Sequence, residues 1–506
     1  MERGAVGARL LFPDGRIQHA GVVAGLGGSA EHVFIGCSLD ESGYMNRLHV
    51  DQNYSAVTAA CMLVKREAFD RVGGLDQENY QLNFSDVDFC LKLGRAGYKI
   101  VWTPHVTLVH HTSATQKKEA EDPEKAEKAG IQFEKDKKSL VDRWFGVLCR
   151  DPAYNYNLEL DSRRFDIDTT EVPGWSPAIF SAPRIWAYPR AKDGAGEYRL
   201  RRPLLTMQEK GLALTHLAEQ FLVPNALEKY RPDTLVFQTP LSDENIDYLK
   251  LIREYHKGLI IFEIDDLLSQ IPYKNPAFEN IGRKNMKKQI SRALQYCDRM
   301  IVSTKPLAKA YSGMCKNVRI VPNYISSAAW GNLKTRANRK EKPRVGWAGS
   351  VFHYGDLLVI KDVVKELADR VEWIFMGMCP DEIRPYISEY HEGVAIDAYP
   401  AKLASLGLDL AVAPLEINPF NEAKSNLRIL EYGILGIPVV ATDIYPYRNA
   451  PVTLVKNRFK DWKRAIERRL ADMDRMKAEG DELKKWILAN WILEDHLEDI
   501  LPAYIK

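Results

Sequence analysis

Lys424, Arg428 and Glu431 are separated by four and then three residues, a spacing that puts all three on one face of a helix. A lysine in the first turn of a helix opposes the helix dipole, which favours acids there. That cost is offset if Lys424 faces a ligand phosphate, and Glu431, acceptor-only when ionised, could take two hydroxyls of a ribose. The alternative is a surface ladder of ion pairs. The setting, between Pro414-Leu-Glu416 and the apolar strand Ile437-Pro-Val-Val-Ala441, favours a nucleotide site. A second pattern lies upstream. Gly349-Ser350 follows an apolar strand over 344–348 and precedes a helix starting near Asp356, so backbone N–H groups there are expected to approach phosphate. A plain tight strand-to-helix turn would read the same way.

Two further groups invite chemistry. Glu263, Asp265 and Asp266 end an apolar strand, and three acids so close raise one another's pKa unless a cation is near. A metal site, a helix cap and contacts to substrate hydroxyls are the readings open to them. Gly25-Leu-Gly27-Gly-Ser-Ala30 matches a dinucleotide fingerprint, but the following Glu31-His-Val-Phe-Ile-Gly36 reads as strand or turn where a helix is required. A nicotinamide cofactor is therefore not expected.

The elements that must position these residues alternate. Residues 1–150 carry short strands at 6–12, 56–64, 100–102 and 106–109, a helix over 86–95 that stops at Gly97, and a stretch over 117–138 with seven lysines and seven acids. Equal signs there point to a solvated helix rather than a basic arm. Residues 151–178, with Pro152, Asn155, Asn157, Pro173 and Pro177, read as a linker. From 179 to 333, strands at 235–238, 259–264, 300–303 and 318–321 alternate with helices over 205–230, 243–256 and 283–297. A polar hinge over 334–342 follows. The alternation restarts in 343–470 with strands at 344–348, 371–376, 393–396, 408–413 and 438–441 and helices over 357–367 and 425–435. Residues 471–506 form a helical tail within a helical stretch from about 458, with Trp462, Trp486 and Trp491 as packing anchors. The fold class is α/β: two successive Rossmann-like units behind a smaller α/β segment, with ligands expected at the carboxyl ends of the strands.

Composition narrows the function classes. The 506 residues suggest about three domains. Hydrophobic residues at 45% exclude wholesale disorder, and 70 basic against 68 acidic residues give no global reason to propose nucleic acid as a partner. No apolar run reaches 18 residues, and the first residues lack a signal-peptide pattern. Seven scattered cysteines without a Cys-x-x-Cys pair fit a reducing cytoplasm.

Residues 344–448 resemble the donor-binding half of GT-B glycosyltransferases, especially the retaining family 4 type. The carrying residues are Trp347-Ala-Gly-Ser350 with His353 and Asp356, then Phe420-Asn-Glu-Ala-Lys424-Ser-Asn-Leu-Arg428-Ile-Leu-Glu431-Tyr, then Gly436-Ile-Pro438-Val-Val-Ala441. The resemblance implies that Glu431 holds the donor ribose and that Lys424, with Arg428 beside it, meets the diphosphate. The pattern departs at the earlier of the family's two glutamates, where Ala423 stands next to Glu422. Ala187-Tyr-Pro-Arg-Ala-Lys-Asp-Gly194-Ala-Gly196-Glu-Tyr-Arg199 looks like the Gly-rich first loop of such enzymes, which lies against donor and acceptor, and Val321-Pro-Asn323 like the end of their first domain. Because the resemblance is to metal-independent enzymes, Asp265 and Asp266 are expected to contact acceptor hydroxyls or cap a helix, without a metal cofactor.

Residues 1–160 resemble another type, the family 2 GT-A enzymes of O-antigen and rhamnan chains. The residues are Val6-Gly-Ala-Arg-Leu-Leu-Phe-Pro-Asp-Gly-Arg-Ile-Gln-His-Ala-Gly21, Tyr54-Ser-Ala-Val-Thr-Ala-Ala-Cys61, Gly73-Gly-Leu-Asp76, Asn83-Phe-Ser-Asp86-Val-Asp88-Phe-Cys90 and His110-His-Thr-Ser113. The resemblance implies that Asp86, supported by Asp88, is the base for the acceptor hydroxyl and that His111 or His110 helps hold a divalent cation (Mn or Mg). From the residues alone, either aspartate could instead cap its helix. No Asp-x-Asp metal–diphosphate motif precedes Asp86, so the segment is read as a partial GT-A domain, its second half only, either a fragment of a longer two-enzyme chain or an acceptor-binding or scaffold piece. It is expected to be catalytically inert as it stands, with a poorly closed core, and a divalent cation is expected only if the domain is completed.

Together these resemblances imply a bacterial glycosyltransferase acting from a nucleotide-diphosphate sugar onto an oligosaccharide or lipid-linked glycan acceptor, in the cytoplasm or peripherally at the inner face of the membrane. The rival expectation is a non-catalytic glycan-binding scaffold of polysaccharide assembly. An epimerase is disfavoured by the failed dinucleotide fingerprint.

Overall fold

A computed structural model of the chain describes residues 2–111, 123–169, 182–279, 285–335 and 342–506. It divides into two compact units, Met1–Ser181 with Phe221–Arg231 and Glu254–His256, and Ala182–Gln220 with Pro232–Arg253 and Lys257–Lys506.

The first unit is built on a mixed sheet. β1 (Arg3–Leu11) pairs in parallel with the long β7 (Lys99–Val109) and antiparallel with β2 (Ile17–His19) and β6 (Met62–Val64), while β5 (Gln52–Tyr54) borders β7. A separate ribbon joins β3 (Val22–Ala24) to β4 (Ala30–His32). The helix Ser85–Arg95 buries Val87, Phe89, Cys90, Leu91 and Leu93, and the helix Pro123–Cys149 adds Leu140, Trp144 and Leu148 to the same core as Trp102 and Tyr54. Leu63, Val106, Leu108 and Val109 on the strands β6 and β7 stay exposed. The Gly25–Ala30 stretch is a tight turn that runs straight into β4, with Gly25, Gly27 and Gly28 all at positive φ, so no helix follows to receive a pyrophosphate.

Of the stretch read as a linker, residues 151–169 are packed; the remainder lies outside the described residues. Tyr154, Leu158 and Phe165 enter the core, and the buried Asp151 carboxylate accepts from Ser55 Oγ and Ala153 N, both at 2.7 Å. The helix Pro224–Tyr230 belongs to this unit too, with Lys229 donating to Leu158 O at 2.9 Å and paired with Asp168.

The second unit holds two six-stranded, all-parallel sheets. The first lobe has β8 (Arg184–Tyr188), β9 (Leu214–Leu217), β10 (Thr234–Gln238), β11 (Leu259–Ile264), β12 (Arg299–Val302) and β13 (Val318–Ile320), in the order β13-β12-β11-β10-β8-β9. The second has β14 (Arg344–Ala348), β15 (Glu372–Met376), β16 (Glu389–His391), β17 (Leu410–Ala413), β18 (Val439–Thr442) and β19 (Thr453–Val455), in the order β16-β15-β14-β17-β18-β19. Read in chain order within its lobe, the latter is the doubly wound order of dinucleotide-binding sheets, with its switch point between β14 and β17. The former switches direction between β8 and β10. The α/β fold with two Rossmann-like lobes is thus set by strand order.

Several elements differ from expectation. The helix read over 205–230 is broken: Arg202–Glu209 ends near Gly211, at φ +70°, and β9 follows. The apolar run 393–396 is not a strand; Gly393, Val394 and Ile396 line a cavity, which explains their apolar character without a sheet. The tail returns to the first lobe, where Leu493, Leu497, Ile500 and Tyr504 join the core of Ile185, Val236 and Ile261. Trp462 is fully buried in the second lobe, and Trp486 and Trp491 pack half-buried against it.

Candidate functional site

A cavity of about 550 Å³ opens between the two lobes of the second unit. Its second-lobe wall carries Gly349, Ser350, His353, Lys424, Arg428 and Glu431, and its first-lobe wall carries Gly194, Asp265 and Asp266. Nine residues singled out by sequence thus converge on one cavity at the carboxyl ends of the parallel strands.

The cationic wall differs in one detail from the sequence reading. Lys424 does not share a helix with Arg428 and Glu431. A short helix, Pro419–Glu422, capped by the Asn418 side chain, ends at Ala423, and the next begins at Leu427, so Lys424 sits at the joint. Its Nζ lies 3.6 Å from Asp266 across the cleft and 4.7 Å from the centre of the Phe420 ring. The helix Leu427–Ile434 starts without a side-chain cap, which suits an anion at its N-terminus. Its apolar face is anchored by Ile429, Leu430 and Ile434 in the lobe core.

Arg428 is held rigidly. Its guanidinium donates to Ala348 O and to Tyr399 Oη at 3.2 Å, and Glu431 is 3.5 Å away. Glu431 accepts from Tyr198 Oη and Tyr399 Oη, each at 3.1 Å. Burial pushes its carboxyl upward, against the opposing pull of Arg428 and the two phenols. His353 is held by Asp356 at 2.8 Å, and burial lowers its pKa, so the neutral imidazole is favoured beside the two cations. The other Asp356 oxygen accepts from Glu416 N and Asn421 Nδ2, at 2.8 and 2.7 Å.

The glycine at 349 is demanded by space, because a Cβ there would lie 2.6 Å from the Trp347 ring and 2.7 Å from the Arg428 guanidinium. Its amide, expected to meet phosphate, instead donates to Met376 O at 3.0 Å. Contacts from this turn therefore fall to Ser350 and the residues after it.

On the opposite wall, burial pushes the Asp265 carboxyl up to about 7, reinforced by Asp266 and Glu263 and opposed by Arg199 and Arg190. Arg199 lies beneath the cleft rather than in it: it is 1% exposed, pairs with Glu263 at 2.7 Å and donates to Val321 O and Asn323 Oδ1. It neutralises one of the three acids from below. Gly196 is also outside the lining, its missing side chain letting the loop pass Ala191 O, which a Cβ would approach to 2.1 Å. Tyr198 and Tyr399 were not visible in the sequence as site residues, because an isolated tyrosine carries no spacing signal.

In the first unit the residues assigned by resemblance are otherwise engaged. Asp86, in the first turn of its helix, accepts from Ala59 N and Val87 N, both at 2.9 Å. Asp88 is fully buried and holds Trp144 Nε1 at 2.8 Å, Lys92 at 3.1 Å and Arg143 at 3.2 Å. His110 bonds Gln18 at 2.8 Å, and His111 is exposed. Among the described residues no three His, Cys, Asp or Glu side chains converge as a metal site.

No family model matches the chain. It is 48% identical over 172 residues to uncharacterized protein y4gI of Sinorhizobium fredii, covering 34% of this chain and 18% of that protein. It is 35% identical over 211 residues to the O-antigen biosynthesis protein RfbC of Myxococcus xanthus (40% and 15%). Over 55 residues it is 42% identical to an N-acetylglucosaminyl-diphospho-decaprenol L-rhamnosyltransferase of Mycobacterium tuberculosis (11% and 18%). The chain spans less than a fifth of the length of each of these relatives. Among solved structures it is similar to a sucrose-phosphate synthase from Thermosynechococcus elongatus, with a TM-score of 0.48 and 14% identity over 64% of this chain and 98% of that one. No helix among the described residues is long and apolar enough to cross a membrane.

Proposed function

We propose that residues 182–506 form a GT-B glycosyltransferase module that moves a sugar from a nucleoside-diphosphate donor to a hydroxyl of a cell-surface glycan. One observation carries this reading: a cationic wall, Lys424 and Arg428, faces a carboxylate wall, Asp265 and Asp266, across one cavity, with Glu431 beside the cations. Lys424 and Arg428 stabilise charge developing on the departing diphosphate, a contribution realised mainly in the transition state. Glu431 accepts the ribose hydroxyls, and Asp265 and Asp266 receive the acceptor hydroxyl. Retention of configuration, independence from metal, and an O-antigen-like acceptor, lipid-linked or oligosaccharide, complete the proposal; the likeness to RfbC supports the acceptor class. Peripheral membrane contact belongs to the same reading, since lipid-linked acceptors sit at a membrane. The first unit serves as a scaffold in which Asp86 is inert.

A second reading, a glycan-binding scaffold without turnover, is favoured by Glu431, whose carboxylate is already engaged by two phenols and a guanidinium. The two differ in nucleotide affinity. Calorimetric titration of UDP, GDP and dTDP decides: binding of one of them that is lost in Glu431→Gln supports the transferase, and binding of glycan alone supports the scaffold.

A further inference from the structure

The second lobe contains another cavity, of about 580 Å³, alongside the sheet-edge strand β19 and the helix Phe459–Leu470. Six cations line it: Lys456, Arg458, Arg464, Arg468, Arg469 and Arg475. Three acids oppose them, Asp461, Asp472 and Glu479, leaving three positive charges in excess, where the whole chain carries only two.

The pairing within the cavity sharpens the imbalance. Glu479 is taken by Arg469, at 2.8 Å, and by Arg475, at 3.8 Å. Asp472 caps the next helix by accepting from Arg475 N at 3.0 Å. Lys456, Arg458, Arg464 and Arg468 have no carboxylate within ion-pair distance among the described residues, and Asp461 and Asp472 remain to balance them. One of these cations, Arg458, is the residue that caps the N-terminus of the helix Phe459–Leu470, whose dipole also disfavours a cation there. Arg464 and Arg468 are one helical turn apart on that helix and point their charge to the same side. Mutual repulsion in a concave site is relieved by an anion, and arginine forks match the oxygens of phosphate.

We propose that this cavity binds a phosphate group borne on a larger molecule, separate from the cleft between the lobes. Its size suits a ligand well beyond inorganic phosphate. The phosphate can come from a phospholipid headgroup or from a soluble phosphorylated compound, and the test separates them.

The variant Arg464→Glu with Arg468→Glu changes two exposed side chains. A control of equal charge change, Lys287→Glu with Lys288→Glu, alters exposed lysines on the first lobe. Co-sedimentation with vesicles of phosphatidylglycerol and phosphatidylcholine probes the lipid source. Thermal titration with pyrophosphate, in a Lys424→Ala background that weakens the cleft, probes the soluble one. Apparent affinity for one probe should fall about tenfold or more in the arginine variant and stay within about twofold in the control. Loss on vesicles identifies a headgroup, and loss with pyrophosphate alone identifies a soluble ligand. Binding of neither probe, or an equal loss in the control, overturns the proposal.

Discussion

Replacing Lys424 by alanine isolates the electrostatic part of the proposed mechanism. Its ammonium lies 3.6 Å from Asp266, and its side chain is 19% exposed. The pair it would lose is partly solvated, so the fold should lose no more than about 1 kcal/mol and Tm should move by about 4 °C or less. Arg428 cannot take over, because Ala348 O, Tyr399 and Glu431 already fix its guanidinium. A donor aimed at charge that develops in the transition state is worth about 2.7–4 kcal/mol, or about 10²–10³ in kcat. Turnover of the nucleoside-diphosphate sugar that binds the protein, followed by release of the diphosphate, is the assay. Lys424→Ala should lose about two to three orders of magnitude in kcat while retaining its cooperative melt, and Lys424→Arg should recover part of the loss. A Lys424→Ala enzyme turning over within about threefold of the parent would refute the phosphate role.

Other consequences are testable alongside it. Because burial raises Asp265 to about 7, kcat/KM should climb as pH rises through about 7 if the ionised carboxylate receives the acceptor, and Asp265→Asn should erase that limb of the profile. The same group binds its proton more tightly folded than unfolded, so its contribution to stability is present below about pH 4 and is lost as pH rises through about 7; Asp265→Asn should flatten that part of a Tm-against-pH curve. Gly349→Ala must displace the Trp347 ring or the Arg428 guanidinium and should cost about 1–3 kcal/mol by denaturant melt, with weaker nucleotide binding. Asp88→Ala strips Trp144, Lys92 and Arg143 of a shared buried acceptor and should destabilise the first unit by about 3–5 kcal/mol, whereas Asp86→Ala should leave transfer rates unchanged.

The strands of the two lobes were legible because fully buried parallel strands such as β11 and β14 read as short apolar runs between helical patterns. β9 was not, since Leu214–Leu217 is half-buried at a sheet edge and its mixed composition looks helical. The run 393–396 misled for the opposite reason: apolar residues were bought by a cavity rather than a sheet. Of the site, the charged residues were legible from type and spacing, although the joint after Ala423 removed Lys424 from the helix that the spacing implied. What sequence could not supply was how they are engaged. Tyr198 reaches Glu431 from 233 residues away, Arg199 turns downward to Glu263, and the Gly349 amide is spent on Met376. Each depends on which strands neighbour one another, which periodicity does not encode.

The central claim is a nucleotide-diphosphate site in the cleft between the lobes, and thermal-shift titration with UDP, GDP and dTDP, with and without manganese, tests it most directly. One nucleotide at about a hundred times its Kd should stabilise the chain by about 2.7 kcal/mol without metal, and Lys424→Ala should remove most of that shift. No stabilisation by any of the three, or a shift that requires manganese and survives Lys424→Ala, would contradict the account.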